Sequence, residues 1–196
     1  MQSITVEYKL TQWTLSHREY ALIDGFNRYK LHQIICDLFD ESCQFDVENR
    51  NSNIIILIKS KNEIKNPINI GSFTTKHCKS TIADEGVYKI KCNLNATKKI
   101  NNGTANGKKI PLIGVDQLSQ WLTRKSQSIG VSITSLNIGN TIRTHMNKHG
   151  EYVIDSHEVE LICKVEDLEK FATVYMNGLG SSRKFGFGFV KVFTIY

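Results

Sequence analysis

The chain has 196 residues, 40% hydrophobic and 22% charged, with a formal net charge of +6. That length holds one large domain or two of about 100 residues, each with a core, and the balance is ordinary for a soluble protein. No apolar run approaches the roughly 20 residues that span a bilayer, and the opening MQSITVEYKL is no signal peptide.

Five cysteines (Cys36, Cys43, Cys78, Cys92, Cys163) without C-x-x-C spacing point to neither a disulfide framework nor a zinc site. They read as small buried hydrophobes in a reducing cytosol, so the expected location is cytoplasmic and no metal or cofactor is expected. The positive charge needs a discount. Lys, Asn and Ile are abundant while Pro, Ala and Arg are scarce, the pattern of an AT-rich genome, so placement matters more than the total. Lys98-Lys99 and Lys108-Lys109 flank a Gly/Asn loop, Arg124-Lys125 fall on a helix, and Arg183-Lys184 sit among glycines.

In chain order, Ser3 to Leu10 alternates and reads as a strand. From Asn27 onward, Leu31, Ile34, Ile35, Leu38 and Phe39 recur at helical spacing. Phe45 to Glu48 and Asn53 to Lys59 read as strands, the second buried on both faces, and INIGSFTTK as a fourth. Residues 61–67 (KNEIKNP) are short and Asn-rich for the second helix that the pattern wants there. The second half repeats the order. Val87 to Ala96 alternates, Val115 to Ile129 is helical, Ser132 to Lys148 and Glu151 to Val165 are long β-runs, and Glu166 to Met176 is a helix with Gly178 at the C-terminal cap. FVKVFTIY closes the chain. Each half thus reads βαββ(α)β, so the expected fold is α+β with two tandem ferredoxin-like domains, 1–83 and 84–196. The alternative is a single larger α+β domain.

Before the closing strand lies GLGSSRKFGFGF, with glycines 178, 180, 186 and 188 bracketing Arg183-Lys184. Glycines at this density permit positive φ and close approach, and successive amides can form an anion nest. A glycine-rich hairpin turn is an equal alternative. A dinucleotide fingerprint is excluded, because no helix can start there.

Four collinear segments resemble the CasE family, the endoribonucleases of the Cascade CRISPR complex that cut precursor CRISPR RNA. They are YKLHQIICDLF (Tyr29 to Phe39), IKCNLNATKK (Ile90 to Lys99), GKKIPLIGVDQLSQWLTRK (Gly107 to Lys125) and the glycine-rich turn. Two positions depart from the family pattern: Ala96 stands where a proline is usual, and Arg183 where a lysine is. The resemblance spans essentially the whole chain and implies tandem ferredoxin-like domains. It also implies a repeat RNA hairpin and other Cascade subunits as partners, and a protein that stays bound to its cleaved product.

RNA cleavage without a metal needs a base to deprotonate the neighbouring 2′-OH and an acid for the leaving 5′-oxygen. Histidine suits the first task because its ordinary pKa is about 6.5. His32 flanks the apolar stripe of its helix, Tyr29 lies three residues back on that flank, and Asn27 as N-cap would put both near a helix N-terminus that lowers a histidine pKa. By resemblance, His32 matches the family's catalytic histidine and Tyr29 its active-site tyrosine. An A-form stem is held through shape and phosphates. The expected RNA contacts are therefore Lys98, Lys99, Arg124, Lys125, Arg143, Lys148, Gly178, Gly180, Arg183 and Lys184. The products would carry 5′-OH and 2′,3′-cyclic phosphate ends. A noncatalytic hairpin-binding subunit of a ribonucleoprotein is the competing reading. A nucleotide-binding enzyme is disfavoured, since no Walker lysine or acidic metal cluster is present.

Overall fold

The computed structural model describes residues 2–101, 103, 108–147 and 150–195. Strand β1 (Ser3–Ser16) leads through a short helix α1 (His17–Leu22) to α2 (Arg28–Phe39). The hairpin β2 (Gln44–Arg50) and β3 (Asn53–Ser60) follows, and then β4 (Ser72–Ala83). These strands form one antiparallel sheet in the order β2-β3-β1-β4. The second half runs β5 (Val87–Leu94), a small hairpin β6 (Thr97–Ile100) and β7 (Lys108–Pro111), and α3 (Val115–Ile129). Next come the long hairpin β8 (Val131–Asn147) and β9 (Glu151–Val165), helix α4 (Leu168–Asn177), a 3-10 turn at Arg183–Phe185, and β10 (Lys191–Thr194). Its sheet has the order β10-β5-β9-β8. Within each half, numbered by strand, both orders are 4-1-3-2 with antiparallel neighbours. The chain is two tandem ferredoxin-like domains.

The first strand is longer than its alternation predicts because its phase changes. Ile4, Val6, Tyr8 and Leu10 bury the even face against the core of the second half, whereas Trp13 and Leu15 bury the odd face under α2. Successive strand residues point to opposite faces, so one uninterrupted strand serves two cores.

In the first half, the stretch between β3 and β4 is irregular, not helical. Its Ile64, Ile68 and Ile70 pack against the first core where a second helix would lie. The Lys65 and Asn66 amides donate to the Leu38 carbonyl, and Asn66 Nδ2 to that of Asp37, which satisfies the C-terminal end of α2.

Helix α2 forms where its spacing predicts, with the Asn27 side chain accepting from the Tyr29 amide at 3.2 Å. Leu31, Ile35, Leu38 and Phe39 are buried against Trp13, Leu15 and the Ile54/Ile56/Ile58 row of β3. Each such side chain stabilises the fold by about 1.5–3 kcal/mol, which fixes the opposite flank, with Tyr29 and His32, toward the second half.

Helix α4 starts two residues later than its pattern predicts, because Asp167 caps it by accepting from the Lys170 amide at 3.0 Å. It fastens the halves together. Tyr175 Oη lies 2.7 Å from Tyr8 Oη, and Lys59 on β3 donates to the Tyr175 carbonyl at 2.7 Å. Among the described residues no helix is long and apolar enough to cross a membrane.

Candidate RNA-cleavage site

Three elements converge on the N-terminal half of α2. The first is the 3-10 turn inside the glycine-rich segment, whose Phe185 meets His32 edge to face with centroids 5.6 Å apart and lies 6.1 Å from the Tyr29 ring. The second is the far end of the β8–β9 hairpin, tied to the helix cap by Asn27 Nδ2 donating to the Asn147 carbonyl at 3.1 Å. Met146 and Ile154 from that hairpin close over Phe185 and Phe187, and Tyr29 packs against this cluster. The third is α2 itself, where Cys36 Sγ sits 3.5 Å from His32 Nδ1, one turn along.

His32 is half-buried. Burial first, and then the positive charge of Lys184, hold its pKa below the ordinary 6.5. The imidazole is therefore neutral at physiological pH, the form that accepts a proton. The direction matches the sequence expectation, and burial and the Lys184 cation both contribute to it.

The basic pair of the glycine turn divides its tasks. Arg183 folds back, donating through Nη1 to the carbonyls of Asn177 (3.2 Å) and Gly178 (3.4 Å) at the end of α4. Lys184 is exposed beside Phe185, with its ammonium near enough to His32 and Cys36 to bias both groups. Lys184, expected among the RNA contacts, also brings its charge to bear on the histidine.

The glycines serve backbone crossing. A Cβ on Gly188 would lie 1.8 Å from the Leu179 carbonyl oxygen, and one on Gly178 2.7 Å from that of Gly188. Gly178, Gly180, Gly186 and Gly188 all have positive φ. The amides of Gly178, Leu179, Ser181, Phe185, Gly186 and Gly188 donate to carbonyls of the protein. An anion nest built from those amides is not what the turn forms. It is a tight crossing that projects Lys184 and Phe185.

The remaining basic residues are distributed around this centre. Lys98 and Lys99 lie exposed on β6, and Lys99 faces Lys109 directly across the hairpin. Like charges so placed are destabilising on their own and suit a polyanion. The hairpin is anchored to the glycine turn by Thr97 Oγ1 and Ser181 Oγ at 2.7 Å. Lys109, Arg183 and Lys184 line a shared cavity of about 670 Å³. Arg124 and Lys125 are exposed on α3, which packs on β8 and α4. Arg143 is held by a cross-strand ion pair, its Nε 2.8 Å from Asp155 Oδ1 and its Nη2 3.4 Å from Oδ2. That pair neutralises its charge while leaving it largely exposed. Lys148 lies outside the described residues. Among the described residues no group of three or more His, Cys, Asp or Glu side chains is arranged to hold a metal ion.

Over 95% of this chain and 99% of the other, the fold resembles the CRISPR endoribonuclease Cse3 bound to a 19-nucleotide RNA, with a TM-score of 0.82 and 15% identity. Thermus thermophilus Cse3, bound to an RNA representing a pre-cleavage complex, gives 0.81 and 15% over 96% and 100%. The CRISPR-associated protein Cas6e from Escherichia coli gives 0.75 and 17% over 94% and 98%. No curated protein sequence matches the chain. The sequence profile described as CRISPR associated protein matches residues 10–193, and the chain belongs to that family.

Proposed function

We propose that this protein is a CRISPR RNA-processing endoribonuclease that cleaves a repeat hairpin by attack of the neighbouring 2′-OH. The observation that carries the reading is the meeting of His32 from residues 1–83 with Lys184 from residues 84–196. A half-buried, depressed-pKa imidazole and an exposed ammonium share one site. His32 takes the proton of the 2′-OH as the oxygen attacks phosphorus in line. Lys184 stabilises the negative charge that grows on the phosphorane oxygens, the role in which a positioned cation contributes most. Tyr29, held against Phe185 and the capped start of α2, orients the phosphate. The imidazolium then returns its proton to the departing 5′-oxygen, leaving 5′-OH and 2′,3′-cyclic phosphate ends. Every proton in this sequence moves between His32 and the RNA, so the reaction needs no metal.

The Lys98/Lys99/Lys109 hairpin hangs from the glycine turn and supplies stem-phosphate contacts. Because the stem survives cleavage, these contacts persist and the product stays bound. RNA-bound Cse3 and CRISPR RNA-guided surveillance complexes among the structural relatives support a repeat hairpin and other Cascade subunits as partners, with the protein acting in the cytoplasm. The test is incubation with the repeat RNA encoded beside the gene, in excess EDTA. Cleavage with the named ends is expected. Cutting of an RNA lacking the attacking 2′-OH would refute the mechanism, and binding without any cutting would leave a noncatalytic hairpin-binding subunit.

A further inference from the structure

The start of β9 carries an aromatic ring that neither the fold nor the cleavage chemistry uses. Register pairs Met146 with Tyr152 and Thr144 with Ile154. Directly opposed residues share a face, as do residues two apart on one strand. Met146, Tyr152 and Ile154 therefore form one row. Met146 and Ile154 are sealed in the cluster with Phe185, Phe187 and Tyr29, whereas Tyr152 continues the row outward and is 40% exposed. Tyr29 packs against that same Met146/Ile154 cluster, and partial burial, then the nearby Tyr29, push the Tyr152 hydroxyl above the usual range. A partly covered ring with an open face thus stands at the rim of the site, beside the tyrosine three residues from His32.

The uncovered face of the ring is open to solvent. Its chemistry fits the flat apolar face of an unpaired nucleobase. Single-stranded RNA next to a stem is held by stacking on aromatic side chains, which accept any base. We propose that Tyr152 is the stacking platform for the unpaired nucleotide adjoining the phosphate held at His32. The site then grips a base splayed out beside the stem as well as the stem's phosphates. This rests on His32 marking the cleavage point.

The test uses the repeat RNA with the attacking 2′-OH removed and 2-aminopurine placed on either side of the scissile phosphate. At one of the two positions, wild type and Tyr152→Phe should quench the fluorophore and Tyr152→Ala should not. Affinity should fall about five- to a hundredfold in Tyr152→Ala, the usual worth of one stacked base. On RNA made abasic at that position, wild type and Tyr152→Ala should bind alike. Unchanged quenching in Tyr152→Ala overturns the proposal, as does an equal affinity loss on the abasic RNA; the latter would mean that the ring supports the hairpin or meets another protein. Failure of the cleavage reading looks different: wild type then quenches the fluorophore yet leaves the all-ribose RNA uncut.

Discussion

His32 and Phe185 stand perpendicular, 5.6 Å between ring centroids, although one belongs to the second helix of the chain and the other to the turn before its last strand. This contact seats the imidazole against an apolar wall and brings the neighbouring Lys184 within electrostatic reach of it.

Removal of the imidazole tests its role directly. His32→Ala should lower the single-turnover cleavage rate by about 10²–10⁴-fold, the usual cost of losing a general acid-base group, with hairpin affinity nearly unchanged. Tyr29→Phe should cost less.

The pH profile follows from the depressed pKa of His32. The base must be neutral, so the rate should rise tenfold per pH unit at low pH and level off above a midpoint lower than 6.5. Lys184→Gln removes one of the two causes of the depression. Its midpoint should move up toward 6.5 while the plateau rate falls, measured as log rate against pH. The same shift makes His32 a source of pH-dependent stability: the unfolded chain binds its proton first, so this contribution is present above about 6.5 and lost as pH falls through the folded pKa.

The two basic residues of the glycine turn should separate in their effects. Lys184→Ala should impair cleavage and leave the melting temperature unchanged. Arg183→Ala should reduce stability by about 0.3–1 kcal/mol, the scale of a cation at a helix C-terminus, with a smaller effect on rate.

Lys59 gives a second handle on pH. Its ammonium is enclosed by the Tyr175 carbonyl and the rings of Tyr8, Tyr175 and Phe189, and burial brings its pKa from 10.5 down to about 7. The folded state then prefers the neutral amine, so the unfolded chain holds more protons between the two values. From pH 7 to 9 the wild type should gain stability relative to Lys59→Met, by no more than about 1.4 kcal/mol per pH unit. Denaturant unfolding of both proteins at several pH values measures the difference.

The ion cluster of Lys191 with Asp46 and Glu48 crosses between the sheets, with Nζ 2.6 Å and 2.5 Å from the two carboxylates. Lys191→Met leaves two partly buried carboxylates facing each other, and should destabilise by about 1–3 kcal/mol at neutral pH, the cost of losing a charged partner. Denaturant unfolding of both proteins at neutral pH measures the difference.

Much of this architecture is legible in the sequence. The spacing of Leu31, Ile35 and Leu38 gives α2, and Val115–Ile129 and Glu151–Val165 have the bounds that periodicity assigns. The second half of β1 is hidden by its phase change, since a reader following Ile4, Val6, Tyr8 and Leu10 loses the pattern where Trp13 and Leu15 begin the other face. Helix α1 is announced only by the capping box of Ser16 and Glu19, a signal that its six residues are too short to reinforce. The β6–β7 hairpin hides in a lysine-rich stretch whose pairing is repulsive until a polyanion arrives. The His32 helix and the glycine turn can each be identified alone. Their meeting, and the different partners of Arg183 and Lys184, come from tertiary packing that no local pattern encodes.

The order in which the site's parts occur along the chain matters during synthesis. The imidazole leaves the ribosome roughly 150 residues ahead of the wall it leans on and the cation beside it. On the proposed mechanism, a ribosome-bound chain that has folded only its first sheet carries an inert histidine. The capacity to cut RNA would then arise only once the glycine turn has docked, so partly made chains would not be stray nucleases amid messenger and ribosomal RNA.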